Sequence, residues 1–362
     1  MKLIIDHKIP YIKEVIGQIT SDAVFVPGKD FTPGLVSDAD ALIVRTRTYC
    51  NRELLVGSRV RLIATATIGY DHIDTEYCRR AGIMWSNAPG CNSSSVAQYV
   101  QSSLFLLQRE RGMALEKATI GIVGAGNVGA KVAAIAGRAG MRVLINDLPR
   151  QDKEGQNGFT DLADIAGECD IITFHTPLYM GGTYKTYHLA DETFFRSLRR
   201  CPVIINTSRG EVVDTGALLG ALDAGIVSAA IIDVWEEEPH INRKLLEKAL
   251  IATPHIAGYS ADGKANATRV SLETVCRFFG IAASFEIVPP APANAVIYAD
   301  TYREALLKIY NPQTDSDALK ANPDRFERLR ENYPLRREEQ AYKVCVPSTY
   351  PARHIRKYGQ DG

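Results

Sequence analysis

Residues 119–147 read TIGIVGAGNVGAKVAAIAGRAGMRVLIND, and this stretch decides the fold. The apolar run TIGIV predicts a buried strand, and the helical pattern after it begins with the spacing Gly-x-Gly-x-x-Gly. Gly124 permits a tight turn, Gly126 lets a pyrophosphate approach the backbone, and Gly129 lets the helix pack on the strand. A strand, glycine loop and helix in this order predict a dinucleotide-binding domain. The predicted loop contacts are Gly124, Gly126, Asn127, Val128 and Gly129.

The residue after the next predicted strand, Asp147, indicates which dinucleotide is bound. It lies roughly 20 residues beyond the glycine loop, where an acid hydrogen-bonds the adenosine ribose. Because a carboxylate there repels a 2′-phosphate, the sequence favours NAD over NADP. A helix cap is the other reading of Asp147, and the nearby Arg150 leaves room for some use of NADP. Thr176, at the end of a later strand, is expected to line the cofactor cleft, although threonine is also a common turn former.

Composition describes a globular chain without a strong overall charge. The 362 residues include 42 basic and 42 acidic side chains, so neither nucleic acid nor a membrane surface is predicted as a partner. No apolar stretch approaches the ~20 residues of a membrane span, and the N-terminal run reads as a first strand rather than a signal peptide. Seven scattered cysteines without a Cys-x-x-Cys pair favour a reducing cytoplasm and predict no metal site.

The pattern of apolar runs predicts an α/β protein with two doubly wound parallel-sheet (Rossmann-like) domains. In the first domain the runs LIID, AVFV, ALIVRT and RLIATATIG read as strands, with a helix expected from Tyr11 to Ile19. A long helix is expected from Ser94 to Arg109, leading into the second series of strands. That series closes near IATPHIAG, and another helix is expected from about Ala261 to Gly280.

Domain boundaries follow from the same pattern. We expect a substrate-binding domain over residues 1–95, completed by about 259–284, and an NAD-binding Rossmann domain over 96–258. The segment SFEIVPPAPANAV interrupts every periodic pattern, so a boundary is placed at about 285–295. Residues 285–362 are polar and rich in arginine, and they predict a small C-terminal α+β domain without a large core of its own.

Charged residues follow successive strands of the second series. They are Arg209 in INTSRGEVVD, the run of three glutamates ending at Glu238, and His255 in TPHIAG. Because the carboxyl ends of parallel strands meet at one edge of a sheet, all three should face one cleft. An arginine fork can hold a carboxylate, and a histidine can act as a general base. Alone, the glutamate run would be read as an exposed loop, and spacing does not decide which glutamate reaches His255.

Together these motifs resemble the D-isomer-specific 2-hydroxy acid dehydrogenases, through GAGNVG, N-x-S-R-G-x-V-V-D, D-V-W-x-x-E-P and T-P-H-I-A-G. The resemblance implies that the functional acid is Glu238, directly before proline, and that Glu236 and Glu237 are solvated. It also implies that His255 removes the C2 hydroxyl proton while a hydride passes to NAD, and that Arg209 binds the substrate carboxylate. A carboxylate bonded to an imidazole fixes its tautomer and raises the pKa of the ring, which suits a base.

The resemblance implies further contacts to the cofactor and the substrate. Implied cofactor contacts outside the glycine loop are Asp147, Thr176, Thr207, Ser208, Arg209, Asp233 and Gly258. Implied substrate contacts are Thr46, Thr67 and Tyr259.

Additional motifs narrow the resemblance to a subgroup with a C-terminal unit that most relatives lack. These motifs are TATIGYDHID, APGCN, YKTYHLADE, PHIAGYS and LRENYPLRRE. The subgroup implies a phosphorylated four-carbon 2-hydroxy acid as substrate and a homodimer formed through residues 285–362. Two alternatives stay open: a relative that acts on 3-phosphoglycerate or D-lactate, and an NAD-sensing binding protein on the same fold. Turnover of a panel of 2-hydroxy acids separates the three.

The remaining charged residues have weaker signals. Five histidines lack a partner acid at an informative spacing and are expected to be structural: His7, His72, His175, His188 and His240. Arg45 and Arg47 flank Thr46, and because strand residues alternate faces, they either meet a phosphate together or form a surface pair.

Overall fold

The computed structural model describes residues 1–347 of the chain. Its first sheet is built from short apolar segments. Its strands are β1 (Lys2–Asp6), β2 (Asp22–Val26), β3 (Ala41–Val44), β4 (Leu62–Thr65) and β5 (Met84–Ser86). Its connecting helices are α1 (Pro33–Val36), α2 (Arg52–Leu55) and α3 (Thr75–Ala81). The strands are parallel in the order β2-β1-β3-β4-β5, and every residue of β3 and β4 is buried. These strands confirm the expected apolar runs, because a sheet covered on both faces requires continuous apolar segments.

The prediction of a helix from Tyr11 to Ile19 is wrong. Only a 3-10 turn forms there, at Ile16–Gln18, and Tyr11 adopts a positive φ of 61°. The segment instead buries Ile12 and Val15 against the first sheet. β-Branched side chains lower helix propensity, and here their burial outweighs the helical spacing.

A long helix leads into the second sheet. This helix, α4 (Ser93–Arg111), confirms the helix expected from Ser94 to Arg109 and ends at Gly112, which has a φ of 64°. The strands that follow are β6 (Thr119–Val123), β7 (Arg142–Asn146), β8 (Ile171–Phe174), β9 (Val203–Asn206), β10 (Ala229–Ile232) and β11 (Ile251–Ala252). The helices between them are α5 (Asn127–Arg138), α6 (Leu148–Glu154), α7 (Leu162–Glu168), α8 (Glu192–Arg196), α9 (Thr215–Asp223) and α10 (Arg243–Lys248).

The second sheet reverses its strand order next to β6. All six strands are parallel in the order β11-β10-β9-β8-β6-β7, so the chain leaves β6 toward β7 and later returns to β8 on the other side. The crevice at such a switch point is where open α/β sheets bind ligands. The expected fold of two doubly wound parallel sheets is confirmed.

The rest of the chain packs on both sheets. Helix α11 (Ala261–Phe279) returns to the first sheet and buries Leu272 and Val275 against it. The C-terminal elements are β12 (Val296–Tyr298), α12 (Tyr302–Ile309), α13 (Pro312–Ala321), α14 (Phe326–Glu331) and β13 (Lys343–Cys345). Strands β12 and β13 pair in parallel, while Leu319 and Phe326 join a core cluster of the second sheet. As the sparse apolar content predicts, this unit shares the core of its neighbour.

Residues 1–347 contain neither a candidate membrane span nor a candidate metal cluster. No helix in that range combines the length and the apolar character that a membrane crossing requires. Over the same range, His, Cys, Asp and Glu side chains form no group of three that could hold a metal ion.

Candidate active site

The glycine loop lies at the switch point, directly after β6. Gly124 has a φ of 92° and approaches the backbone of His175 at the end of β8. A Cβ at Gly129 would collide with the Gly124 carbonyl oxygen, whereas a Cβ at Gly126 would meet only open space. Gly124 is therefore required for the turn and Gly129 for the packing, whereas Gly126 leaves the loop open to a ligand.

Asp147 caps a helix and contacts the glycine loop, while its contact with the adenosine ribose stays a prediction. Its Oδ1 accepts a hydrogen bond from Arg150 N at 3.1 Å, which caps α6, and its Oδ2 accepts one from Ala125 N at 2.8 Å. The carboxylate thus stands beside the glycine loop. The Arg150 guanidinium is already engaged by Glu154 and by the Ala125 carbonyl, at 2.9 Å from the latter.

Buried polar atoms without partners mark the same crevice. Within residues 1–347, Thr176 Oγ1 and Asn92 Oδ1 are both buried and make no hydrogen bond. Asn92 also lies so close to Gly258 that a Cβ there would collide with its side-chain amide. Buried polar atoms normally find a partner, so these two fit a polar ligand such as a dinucleotide. Sequence reasoning missed Asn92, although it belongs to the APGCN motif.

The loop after β9 is held by a side-chain amide and projects Arg209. Asn206 Nδ2 donates to the Arg209 carbonyl at 2.8 Å, and Asn206 Oδ1 accepts from Ser208 N at 3.1 Å. Thr207 Oγ1 lies 3.3 Å from His175 Nδ1, which links this loop to β8. A Cβ at Gly210 would collide with the backbone of Trp235, so the two loops are in direct contact.

The Arg209 guanidinium reaches from the second sheet to the first. Its Nη1 donates to the Ser208 carbonyl at 2.8 Å, and its Nη2 lies 2.7 Å from where a Cβ on Gly69 would be. Thr67 Oγ1 donates to the Gly69 carbonyl at 2.7 Å, and Thr46 is exposed at the end of β3. No carboxylate among residues 1–347 pairs with Arg209 within 4.0 Å. This cation is therefore available for an anionic ligand.

His255 and Glu238 form the pair that the sequence predicts. His255 Nδ1 lies 2.8 Å from Glu238 Oε2, and Glu238 Oε1 accepts from Trp235 N at 3.0 Å. Burial opposes ionisation of Glu238, but the bond with His255, the bond from Trp235 N and the charge of Arg330 outweigh it. The pKa of Glu238 is therefore lowered. His255 itself has a φ of 55°, in the left-handed region.

Asp233 fixes the loop that carries His255. Its Oδ1 accepts from Thr253 Oγ1 at 2.6 Å and from Ile256 N at 2.8 Å, while its Oδ2 accepts from Ala257 N at 3.0 Å. Burial raises the pKa of Asp233 despite these bonds. The carboxylate thus orders the backbone on both sides of His255, and its contact with a cofactor stays a prediction.

Tyr259 lies among side chains of the C-terminal unit. Its ring packs edge-on against Tyr333, with centroids 5.9 Å apart. Lys264 Nζ stands 5.2 Å above the Tyr259 ring centroid, and the Arg330 guanidinium carbon stands 5.8 Å from it. Of these neighbours, Arg330 and Tyr333 were not identified from the sequence, although they belong to the LRENYPLRRE motif.

The expectation that Glu236 is solvated is wrong. Its Oε1 lies 2.7 Å from His188 Nε2, and its Oε2 accepts from Thr215 N at 2.9 Å. His188, which lacks a partner acid in sequence, lies 3.1 Å from Asp214 as well. These partners lie far apart along the chain, so spacing alone cannot reveal them. Glu237 is exposed, as expected.

Two other histidines are structural, as expected. His72 is buried and its Nε2 lies 3.0 Å from Thr65 Oγ1, and burial lowers its pKa. Burial lowers the pKa of His175 to about 3, and its two ring nitrogens face Thr173 and Thr207. Both rings are therefore neutral at physiological pH.

Two separate segments of the chain match known protein families. Residues 92–257 match the family described as D-isomer specific 2-hydroxyacid dehydrogenase, NAD binding domain. Residues 290–359 match a domain of unknown function. The NAD-binding match thus contains the glycine loop, Arg209, Glu238 and His255.

Individual relatives match over different lengths. An erythronate-4-phosphate dehydrogenase from Bacteroides thetaiotaomicron is 66% identical over 344 residues, covering 95% of this chain and 99% of that protein. One from Porphyromonas gingivalis is 41% identical and covers 98% of both. The structure of D-lactate dehydrogenase from Aquifex aeolicus, complexed with NAD and lactic acid, is 25% identical with a TM-score of 0.64. The match covers 96% of that chain but 77% of this one, so part of this chain lacks a counterpart in that structure.

Proposed function

Because the chain belongs to the erythronate-4-phosphate dehydrogenases of the D-isomer-specific 2-hydroxy acid dehydrogenase family, we propose that it oxidises 4-phospho-D-erythronate. The C2 hydroxyl group loses its proton and C2 loses a hydride, which gives 2-oxo-3-hydroxy-4-phosphobutanoate. The observation that carries this proposal is the His255–Glu238 pair at the carboxyl edge of the NAD-binding sheet.

The pair provides the proton transfer. Glu238 occupies Nδ1 of His255, so Nε2 is the nitrogen that removes the proton from the C2 hydroxyl. The lowered pKa of Glu238 keeps it ionised at neutral pH, and this charge stabilises the imidazolium ion that forms. In the reverse direction, the same nitrogen returns the proton.

Arg209 provides the charge complement of the substrate. Its planar fork binds the C1 carboxylate and polarises the neighbouring C2 oxygen as carbonyl character develops. In this proposal the bound carboxylate lies beside the loop that carries Thr67, which is supported by the 2.7 Å between Arg209 Nη2 and the position that a Cβ on Gly69 would take. Thr46 and Tyr259 contact the rest of the substrate, including its C3 hydroxyl group, in this proposal.

When bound, NAD supplies the nicotinamide ring that accepts the C2 hydride. The chain's own part is to hold the dinucleotide across the switch point. The glycine loop receives the pyrophosphate, and the orphaned hydroxyl group of Thr176 and the amide oxygen of Asn92 gain partners. Further contacts are proposed at Thr207, Ser208, Asp233 and Gly258.

A turnover assay with purified protein and NAD tests the activity. With 4-phospho-D-erythronate, 3-phospho-D-glycerate and D-lactate at equal concentrations, we expect the first to give the highest kcat/KM. Higher kcat/KM with 3-phosphoglycerate or D-lactate would assign the chain to another 2-hydroxy acid. An absence of turnover with all three would favour an NAD-sensing binding protein.

Asp147 is proposed to give the preference for NAD. In Asp147→Asn the single amide oxygen keeps only one of the two hydrogen bonds, from Arg150 N or from Ala125 N, and the charge is lost. The ratio of NADP to NAD activity should therefore rise about fivefold, since one like-charge repulsion near a phosphate costs about 1 kcal/mol. Steady-state kinetics with both cofactors measure this ratio. An unchanged ratio in Asp147→Asn and in Asp147→Ala would contradict the assignment.

The domain roles are proposed from the same family relationship. Residues 1–95 with about 259–284 bind the substrate, 96–258 bind NAD, and 285–362 form a homodimer. Residues 348–362 lie outside the described part of the chain. Large apolar side chains exposed on the C-terminal unit support the dimer: Tyr298 is 72% and Leu335 50% exposed.

Point substitutions test the dimer better than removal of the unit, because Leu319 and Phe326 belong to the core of the second sheet. Tyr298→Asp or Leu335→Asp should shift the mass measured by light scattering from dimer to monomer. Val56→Asp is the matched control, since Val56 is 56% exposed and lies in the domain of the first sheet. A mass that stays dimeric in both test variants would exclude this surface.

The cellular setting completes the proposal. We propose that this oxidation serves the biosynthesis of pyridoxal 5′-phosphate, vitamin B6. All seven cysteines are free, which suits the reducing cytoplasm.

A further inference from the structure

Two cations stand over the Tyr259 ring and a third lies near one of them, and the three come from separate parts of the chain. Arg45 follows β3, Lys264 lies in the first turn of α11, and Arg330 lies in α14. Lys264 Nζ is 5.2 Å and the Arg330 guanidinium carbon 5.8 Å from the Tyr259 ring centroid. Arg45 is close enough to Lys264 for its charge to lower the pKa of that lysine. We call Arg45, Lys264 and Arg330 the cationic cluster.

Ion pairs fasten the C-terminal helix α14 against the end of the first sheet. Arg47 pairs with Glu327 at 2.9 Å, and Lys8 Nζ lies 3.7 Å from Glu331. Arg45 donates to the Lys8 carbonyl at 3.3 Å. These contacts hold α14 beside the sheet edge at which Thr46 is exposed. The Arg330 guanidinium carbon stands 5.8 Å from the Tyr259 ring centroid, and its charge helps to lower the pKa of Glu238.

The cationic cluster is short of negative charge. Among residues 1–347, neither Lys264 nor Arg45 has a carboxylate within 4.0 Å. Arg330 pairs with Glu327 at 2.9 Å, but Glu327 is shared with Arg47. The whole chain has a formal net charge of zero, so this concentration of cations is local. Like charges held together destabilise a fold unless an anion joins them.

Burial adds to this cost. Arg330 Nε is buried and has no hydrogen-bond partner within residues 1–347. Burial, and then the charge of Arg45, lower the pKa of Lys264. A bound anion would relieve both costs, since it would accept a bond from the orphaned Nε and favour the charged form of the lysine.

We propose that Arg45, Lys264 and Arg330 form the subsite for the phosphate of the substrate. This inference rests on the proposed function and extends it. The C1 carboxylate lies at Arg209 and C2 at His255, so C4 points away from the Arg209 side. Arg330 is the cluster member that neighbours Glu238 and hence His255. The C-terminal unit thus supplies part of the active site of its own chain, which explains why a phosphorylated substrate goes with this extra unit.

Two measurements on the full-length protein with NAD test the subsite. The first is the ratio of kcat/KM for 4-phospho-D-erythronate to kcat/KM for D-erythronate, which lacks the phosphate. The second is the inhibition constant of inorganic phosphate against 4-phospho-D-erythronate. The test variants are Lys264→Met and Arg330→Met. Matched controls on the same helices are Arg269→Met and Arg328→Met, both of which replace exposed cations.

We expect each test variant to lower the ratio by about 10- to 100-fold, the usual effect of losing a charge-assisted hydrogen bond. The phosphate inhibition constant should rise to a similar extent, and both controls should stay within about twofold of the unmodified protein. Arg330→Lys keeps the charge and should restore part of the ratio, which distinguishes binding from a packing role of the guanidinium.

Contrary results are distinct. A phosphate inhibition constant that is unchanged in both test variants would overturn the subsite, as would an equal loss on the two substrates. If the unmodified protein does not oxidise 4-phospho-D-erythronate, the proposed function fails instead. Calorimetric titration of inorganic phosphate into the unmodified and test variants then decides the subsite by itself, and equal affinities would overturn it.

Discussion

Two glutamates of one three-residue run each pair with a histidine, and the two pairs differ in how many nitrogens of the histidine ring contact an acid. Glu238 lies 2.8 Å from His255, and Glu236 lies 2.7 Å from His188. The side chains of His255 and His188 have similar exposures, 32% and 26%. The distance between partners and the burial of the ring therefore do not separate a catalytic pair from a structural one.

The second nitrogen separates them. His188 has Asp214 at 3.1 Å from Nδ1 as well as Glu236 at Nε2, and its ring stacks on Tyr187 at a centroid distance of 4.0 Å. Both nitrogens are committed to the protein. Within residues 1–347, His255 commits only Nδ1, and it lies at the edge of the sheet where Arg209 crosses to the domain of the first sheet. A base needs one nitrogen for its orienting acid and another for the substrate proton.

The largest predicted effect comes from removing each ring. In His255→Gln, kcat should fall by about 10²- to 10⁴-fold, the usual contribution of a positioned general base. In His188→Gln, kcat should stay within about threefold, while the free energy of unfolding falls by about 1–3 kcal/mol because two acids lose a partner. Steady-state kinetics and urea denaturation measure the two quantities. Equal losses of kcat in the two variants would erase the distinction between the pairs.

A smaller effect is expected from neutralising Glu238, the acid of the proposed catalytic pair. Glu238→Gln keeps the shape but removes the charge that stabilises the imidazolium ion. The base must be neutral to accept a proton, and without the carboxylate it loses its own proton more easily. The acidic limb of the kcat/KM profile should therefore move to lower pH, by roughly 1 to 2 units, and kcat should fall.

The control for that shift is Glu237→Gln, which removes an exposed charge next in sequence. Solvent and salt screen that charge, so its profile should match that of the unmodified protein. Identical profiles for Glu237→Gln and Glu238→Gln would mean that the pair seen at 2.8 Å does not govern proton transfer.

The smallest effect on activity is expected at Glu236. Glu236→Ala removes the acceptor of Thr215 N and one of two acids at His188, so the free energy of unfolding should fall by about 1–2 kcal/mol. The acidic limb of kcat/KM should not move. Urea denaturation and a pH profile of the same preparation test this. A limb that shifts as far as in Glu238→Gln would show that the two pairs are coupled.

Much of the site could be predicted because parallel strands bring their carboxyl ends together. Gly124, Arg209, Glu238 and His255 each follow a strand of one sheet, so order along the chain predicts proximity in space. Asn92 escaped prediction because an orphaned amide oxygen has no sequence signal. The prediction of a helix from Tyr11 to Ile19 was wrong because the segment packs its apolar side chains against the first sheet. The spacing of residues within the segment carries no information about that tertiary contact.

By itself, the sequence determined the two parallel sheets, the glycine loop and the residues at the strand ends, because these depend on local patterns and on one topological rule. The tertiary structure alone decided that Glu236 is held by His188 and that Arg330 of the C-terminal unit reaches Tyr259. Both contacts join residues far apart in the chain. A charge distant in sequence is neutralised or left unpaired only by the neighbours that packing brings to it, and no spacing records those neighbours.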